Sequence, residues 1–312
     1  MTDLVTDEMM EQTVTAAGFS MEDTVAGPAA LASPSYMALE SRSMMTPTAF
    51  IKRIHPEMAG DIHLASAIQA VTQAGEVGAG PKVLWSDATT GAVALERLGE
   101  SWQTARQSDL QSATVMAAAI GAMKAFHGTG PLPVFYDAFE RIDNLITAHE
   151  TYGVALPDDI TWLRRVIGLA QDALSQGFEA VPCRNDGSAS NLMIGPNGQV
   201  ALVDFDHAGM NDPMYDLGCL LAELTDFERD MRAAFVAYTG AFDAALFARA
   251  RLWSHVDDMV HTLWARLMSH RSERKEVEWI KYSEWRLLRL RLSLADPQYE
   301  DKIRIIVEAA AQ

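Results

Sequence analysis

Three polar residues arranged around one short hairpin constrain this chain more than any other feature. Cys183-Arg-Asn-Asp-Gly-Ser-Ala-Ser-Asn-Leu-Met-Ile194 is followed by Gly195-Pro196-Asn197-Gly198 and then by the run Gln199-Val-Ala-Leu-Val203. Two apolar runs separated by a Pro-Asn-Gly turn predict a β-hairpin over Leu192–Ile194 and Gln199–Val203. If Asn197-Gly198 form a two-residue loop, Asn191 pairs opposite Asp204; a type I turn with a bulge moves the register by one. In either register the oxygens of Asn191 and Asp204 converge, and Asp186, in the polar loop before Asn191, can approach the same point. An amide and a carboxylate suit Mg²⁺, a hard cation that keeps positions open for water and phosphate, and a nucleoside triphosphate is its natural companion. The alternative, that Asp and Asn only cap turns, explains each residue singly but not their order around one hairpin.

Asn185-Asp186-x4-Asn191, followed by Asp204-Phe-Asp-His-Ala-Gly-Met-Asn-Asp-Pro-Met-Tyr-Asp216-Leu-Gly, resembles the catalytic loop and metal-binding segment of the choline/ethanolamine kinase branch of the aminoglycoside-phosphotransferase-like superfamily. The match spans about residues 180–226. The resemblance implies ATP and Mg²⁺ as cofactors, Asp186 as catalytic base, Asn191 and Asp204 as metal ligands, and Asp216 as a support of the catalytic loop. Asp206 stands where that branch has Glu or Asp and would touch metal or substrate. Arg184 departs from the family, which most often has His there.

The upstream third reads as the nucleotide-covering lobe of such a fold. A short acidic helix over 3–18 precedes Gly27-Pro-Ala-Ala-Leu-Ala-Ser-Pro-Ser-Tyr36, which occupies the position of a phosphate-covering loop but has a single glycine, so Ser33 and Ser35 would supply hydroxyl donors. Ala49-Phe50-Ile51-Lys52 is an apolar strand whose Lys52 would meet the α and β phosphates. The helix expected over 62–74 carries no Glu to hold that lysine, and Asp61 is expected as its N-cap. Gly75-Glu-Val-Gly78-Ala-Gly80 follows a helix and precedes a strand, the wrong order for a dinucleotide fingerprint, and reads as a helix C-terminus. Backbone groups from Glu96 to Leu98 would recognise adenine at the connection between lobes.

From residue 108 onward helical runs dominate, at 108–127, 135–150, 158–176, 214–239, 241–270 and 274–294. This predicts an α+β, protein-kinase-like bilobal fold: a small β-rich N-lobe over 1–100 and a larger helical C-lobe over 101–312 that carries the catalytic hairpin. Glu223 follows Asp216 by two helical turns on one face, the offset at which choline-kinase-like proteins carry an acid towards a quaternary ammonium. Aromatic residues of the two late helices complete the box that the resemblance implies: Trp264 and Tyr282, with Trp279 or Trp285 beside Tyr282, and His261 where choline kinases favour another ring. Packing of these rings into a helical core is the competing expectation.

A net charge of −17 argues against a nucleic-acid partner, which needs a basic footprint, and gives weak support to a cationic substrate. The N-terminus lacks a basic, apolar leader and no run is long enough to span a bilayer, so a cytoplasmic location with no membrane partner is expected. Cys183 and Cys219 are too few for a disulfide framework or a zinc site, and Cys183 is expected in packing. The sequence therefore predicts a kinase for the hydroxyl of a small cationic alcohol such as choline or ethanolamine. The alternatives are a sugar, aminoglycoside or amino acid acceptor, or a retired nucleotide-binding protein.

Overall fold

Strand β3 (Ala49–Ile54) divides its residues between two surfaces and so positions the chemistry of the first unit. Side chains alternate along a strand. Ala49 and Ile51 point into a core with Val5, Met10, Val14 and Ala94, while Lys52 lies on the opposite face. The computed structural model describes residues 4–28 and 38–311. By contacts the chain forms two compact units, one of residues 1–136 and 181–213 and the other of 137–180 and 214–312. The division is discontinuous in sequence: the hairpin over 192–203 belongs by contacts with the β-rich unit rather than with everything after residue 100.

In the first unit an antiparallel sheet runs in the order β1 (Val25–Ala26), β2 (Ser41–Met45), β3, β5 (Ala92–Glu96), β4 (Val83–Asp87). Lys52 pairs with Ser43 on one side and Val93 on the other. Helix α1 (Asp7–Ala16) starts where the Thr6 hydroxyl accepts from Met9 N–H, and its Met10 and Val14 cover the sheet core. Helix α2 (Leu64–Glu76) begins with His63 rather than Asp61 as its cap: His63 Nδ1 accepts from Ser66 N–H at 3.2 Å. The Gly75–Gly80 stretch does end this helix, with Gly78 at φ 72°. Helix α3 (Ala113–His127) also belongs to this unit.

Two smaller sheets complete the first unit. Strand β6 (Gln103–Thr104) pairs with β8 (Leu192–Ile194), which pairs with β9 (Val200–Leu202); β7 (Val181–Cys183) pairs with β10 (Gly209–Asn211). Ile194 faces Val200, and Val203 N–H donates to the Asn191 carbonyl, so the hairpin takes the register shifted by one and Asn191 is opposite Val203, not Asp204. The reason lies in the turn: Asn197 and Gly198 both adopt positive φ, 63° and 78°, and Gly195 N–H closes the loop onto the Gln199 carbonyl.

The second unit is helical: α4 (Ala138–Tyr152), α5 (Ile160–Gly168), α6 (Gln171–Leu174), α7 (Pro213–Leu224), α8 (Glu228–Thr239), α9 (Ala244–Arg271), α10 (Trp279–Leu294) and α11 (Tyr299–Ala310). The run expected over 214–239 breaks after Leu224 into α7 and α8, and α11 lies beyond the expected helices. Helix α9 is the axis of this unit, packed against α4, α10 and α11. Cys183 and Cys219 are both buried and outside any disulfide, and the packing expectation for Cys183 agrees with its burial.

Helix α7 approaches α9 so closely that a Cβ built on Gly218 would lie 2.0 Å from the Ala250 carbonyl oxygen. Gly218→Ala should therefore force the two backbones apart and cost about 1–3 kcal/mol. Denaturant unfolding checks this, with wild-type stability in the variant as the contrary result.

Candidate active site

Lys52 Nζ lies 2.6 Å from Asp204 Oδ1 and 2.8 and 2.7 Å from the two oxygens of Asp206. The contact joins β3 to the segment just beyond β9. Burial alone would lower the pKa of Lys52, but the two carboxylates outweigh it and raise the pKa above the usual lysine range. Burial works against ionised Asp204, yet the Lys52 ammonium holds its carboxyl below the usual range. Asp206 goes the other way: burial and the charge of Asp204 push it up to about 7 against the pull of Lys52. One ammonium thus faces two carboxylates, and the excess negative charge is what a divalent cation would relieve.

The loop before β8 is fixed by hydrogen bonds of its own. Asp186 Oδ1 accepts from Ser188 N–H at 2.7 Å, and Asp186 Oδ2 accepts a short bond from Asn191 Nδ2. Because the amide nitrogen of Asn191 is turned to Asp186, its Oδ1 remains as the atom for a metal. Asn191, Asp204 and Asp206 together offer only oxygen donors, the set that Mg²⁺ takes. In chemical character and charge these residues fit that ion.

Arg184 answers the question raised by the missing histidine. Its side chain is buried, with Nη1 donating to the carbonyls of Asn191 (2.7 Å) and Val203 (2.9 Å) and Nη2 to the carbonyl of Asp186 (2.5 Å). One guanidinium therefore ties both strands of the hairpin to the loop that precedes β8. Asn185 is a second brace: at φ 58° it donates from Nδ2 to His207 O at 2.9 Å and accepts from Asn211 Nδ2 at 2.8 Å. Asp204 also stands at positive φ, 63°, a conformation that costs a non-glycine residue about 1 kcal/mol or more. Sequence reading gave neither brace a role; the available signal was a charged residue immediately after the apolar run Val181-Pro-Cys183.

Other expected residues fall differently. Ser33 and Ser35 lie outside the described residues. The amides of Glu96 and Arg97 are bonded to the carbonyls of Lys82 and Thr48, so neither of these two N–H groups is left for a base. In the second unit Asp216 and Glu223 are both on α7, as expected. Trp264 is 2% exposed and packs edge-on against Trp279 at 5.4 Å, so its ring serves the helical core. Tyr282 meets His261 at 5.9 Å and lies under Arg286, whose Nε donates to the tyrosine oxygen at 3.2 Å. Trp285 is exposed, at 61%.

Arg286 also donates to Asp258 at 2.7 Å and Asp257 at 3.0 Å, Arg289 pairs with Asp258, and its Nη1 is 3.8 Å from Glu223. Asp257 further accepts from Tyr215 at 2.8 Å and lies 3.4 Å from His261. Burial would raise its pKa, but His261 and Arg286 hold the carboxyl far below the usual range.

A family model described as the phosphotransferase enzyme family, APH, matches residues 35–253. The chain belongs to this family. Among curated proteins no relative matches it. Solved structures do: a choline/ethanolamine kinase family protein from Mesorhizobium loti is 22% identical with a TM-score of 0.76, covering 86% of this chain and 90% of that one. The choline kinase LicA from Streptococcus pneumoniae is 17% identical with a TM-score of 0.74 over 92% and 98% of the two chains. The GDP complex of an aminoglycoside 2'-phosphotransferase mutant is 13% identical with a TM-score of 0.62 over 92% and 98%. At these identities the likeness establishes the protein-kinase-like α+β fold of this phosphotransferase, with a β-rich N-lobe and a helical C-lobe.

Arg184→Met, of similar length but unable to donate, should leave three buried carbonyls without their donor and cost about 3 kcal/mol or more. Hydrogen exchange should show the amides of 186–192 opening faster than in the wild type. Unchanged protection there would remove Arg184 as the brace of the loop.

Proposed function

We propose that the protein is an ATP- and Mg²⁺-dependent kinase that transfers the γ-phosphoryl group to the hydroxyl of a small molecule, and that its acceptor is an amino alcohol with N–H donors. The observation that carries the reading is the joining of Lys52, Asp204 and Asp206 beside a loop in which Asp186 and Asn191 are hydrogen-bonded partners. In this reading Asn191, Asp204 and Asp206 hold Mg²⁺, which neutralises charge on the phosphates. Lys52 orients Asp204 and Asp206 and, with ATP bound, shares its charge with the phosphates. Asp186, kept in orientation by Ser188 N–H and Asn191, aligns the acceptor hydroxyl and takes its proton.

Support for a cationic acceptor comes from Glu223 on α7, from the net charge of −17, and from the printed identities of the similar choline and ethanolamine kinases. The aromatic side chains argue against a quaternary ammonium. Such a group offers no hydrogen and needs several ring faces, whereas Trp264 is packed on Trp279 and Tyr282 is covered by Arg286. A primary or secondary amine instead donates to carboxylates, and Glu223 carries one that it would share with Arg289, 3.8 Å away.

Asp186→Asn should lower kcat by roughly 10²–10⁴ with nucleotide affinity nearly intact, because the residue acts on the acceptor. Full turnover in that variant would remove Asp186 from the mechanism. Asp204→Ala should abolish Mg²⁺-supported turnover. Across ethanolamine, its N-methylated series, choline, sugars and aminoglycosides, kcat/KM should be highest for a primary or secondary amino alcohol and fall about 10-fold or more at choline. An uncharged best acceptor would refute the amine assignment and leave the phosphotransferase reading in place.

A further inference from the structure

Within the second unit, α7 to α11 line an open cavity of about 730 Å³ that contains none of the groups assigned to phosphoryl transfer. Its floor and its rim differ in character. Arg251, His255 and Lys302 are buried on the floor, while Trp285, Leu288 and Leu292 are exposed at the rim. These three lie on α10 at spacings of three and four residues, so they form one solvent-facing apolar stripe.

His255 is the informative group. It is 4% exposed, its ring lies 6.1 Å from that of Tyr299, no hydrogen bond of its nitrogens is seen among the described residues, and neither nitrogen is among the unbonded side-chain atoms sealed from water. The ring lines the cavity, where a ligand can supply a partner. Burial, and then the positive charges of Arg251, Lys302 and Arg289, hold its pKa well below the usual histidine range, so the imidazole stays neutral with one N–H to donate.

Four acids line the cavity as well, Asp226 exposed and the other three already engaged. Glu228 lies 3.3 Å from Arg251 and 3.2 Å from Lys302, Asp258 is bonded to Arg286 and Arg289, and Asp296 is 3.8 Å from Lys302. Arg251 spends Nε on Glu228 and Nη1 on Ser254 Oγ at 3.1 Å, which leaves Nη2. The capacity still unspent on the floor is therefore that of donors.

We propose that this cavity binds a small anionic amphiphile, with its carboxylate or phosphate head at Arg251, Lys302 and His255 and its apolar body along Trp285, Leu288 and Leu292. Charge and shape select together: the donors demand an anion, and the stripe demands a chain or ring attached to it. The site is independent of the phosphotransferase reading, since it would exist in a member of the fold that had lost catalysis.

The test is calorimetric titration of the full chain with octanoate, octyl phosphate, octyltrimethylammonium and inorganic phosphate, each below its micellar concentration, with Trp285 fluorescence as a second readout. One or both anionic amphiphiles should bind, and which of them does identifies the head. His255→Ala and Leu292→Asp should each weaken binding roughly 10-fold or more. Leu292 is exposed, so its variant keeps the fold even if the buried histidine variant does not. Equal binding of octyltrimethylammonium, binding of inorganic phosphate as tight as that of octyl phosphate, or unchanged binding to Leu292→Asp would overturn the proposal. So would a wild-type dimer that Leu292→Asp dissociates, with no amphiphile bound, because the stripe would then be a contact between copies.

Discussion

The ammonium of Lys52 between Asp204 and Asp206 is the contact on which the first unit's chemistry depends. It joins residues 152 and 154 positions apart and does so from a central strand, so the ammonium inherits the rigidity of β3. The opposite face of that strand is fixed by Ala49 and Ile51 in the core beneath α1. Burying three charges is costly: the attraction of Lys52 holds the Asp204 carboxyl below its usual range, while burial and the charge of Asp204 push Asp206 up. The imbalance of two carboxylates against one ammonium remains, and it makes the same cluster receptive to a cation.

Around this contact the backbone is held by side chains rather than by regular secondary structure. Strands β8 and β9 have three residues each, too short to define a register firmly, and Arg184 compensates by gripping the carbonyls of Asn191, Val203 and Asp186 together. Asn185 and Asp204 sit at positive φ, and the hydrogen bonds of Asn185 to His207 and Asn211 offset part of that cost. The loop is thus specified by a few polar braces, which is why the substitution of the family's usual histidine by arginine is compatible with an ordered site.

In the second unit a different balance decides what the aromatic residues can do. Asp257 and Asp258 on α9 are neutralised by Arg286 and Arg289 on α10, and the same arginines reach Tyr282 and Glu223. The unit carries its own cations where a cage for a quaternary ammonium would need empty ring faces. Helix α10 leaves Trp285, Leu288 and Leu292 exposed.

Much of this was legible in the sequence because it is local. The turn Gly195–Gly198 between two apolar runs announced the hairpin, and the order Asp186, Asn191, Asp204 announced a set of oxygen donors. The apolar run Ala49–Lys52 announced a strand ending in a lysine, and the later helical runs announced the helices of the second unit, whereas α3 and the hairpin, beyond the expected boundary near residue 100, belong by contacts with the β-rich unit. What the sequence left open depended on partners far along the chain. The hairpin register was set by two consecutive positive-φ residues, the cap of α2 fell to His63, and the role of Arg184 required three carbonyls to converge. Helical spacing grouped Trp264, Tyr282 and Trp285 only as neighbours on helix surfaces; the rotation of α10 against α9 buried the first, covered the second with Arg286 and exposed the third. Periodicity fixes which residues share a face, but the face that meets a core, a charge or water is chosen by the packing of whole helices, and only the tertiary structure decides that.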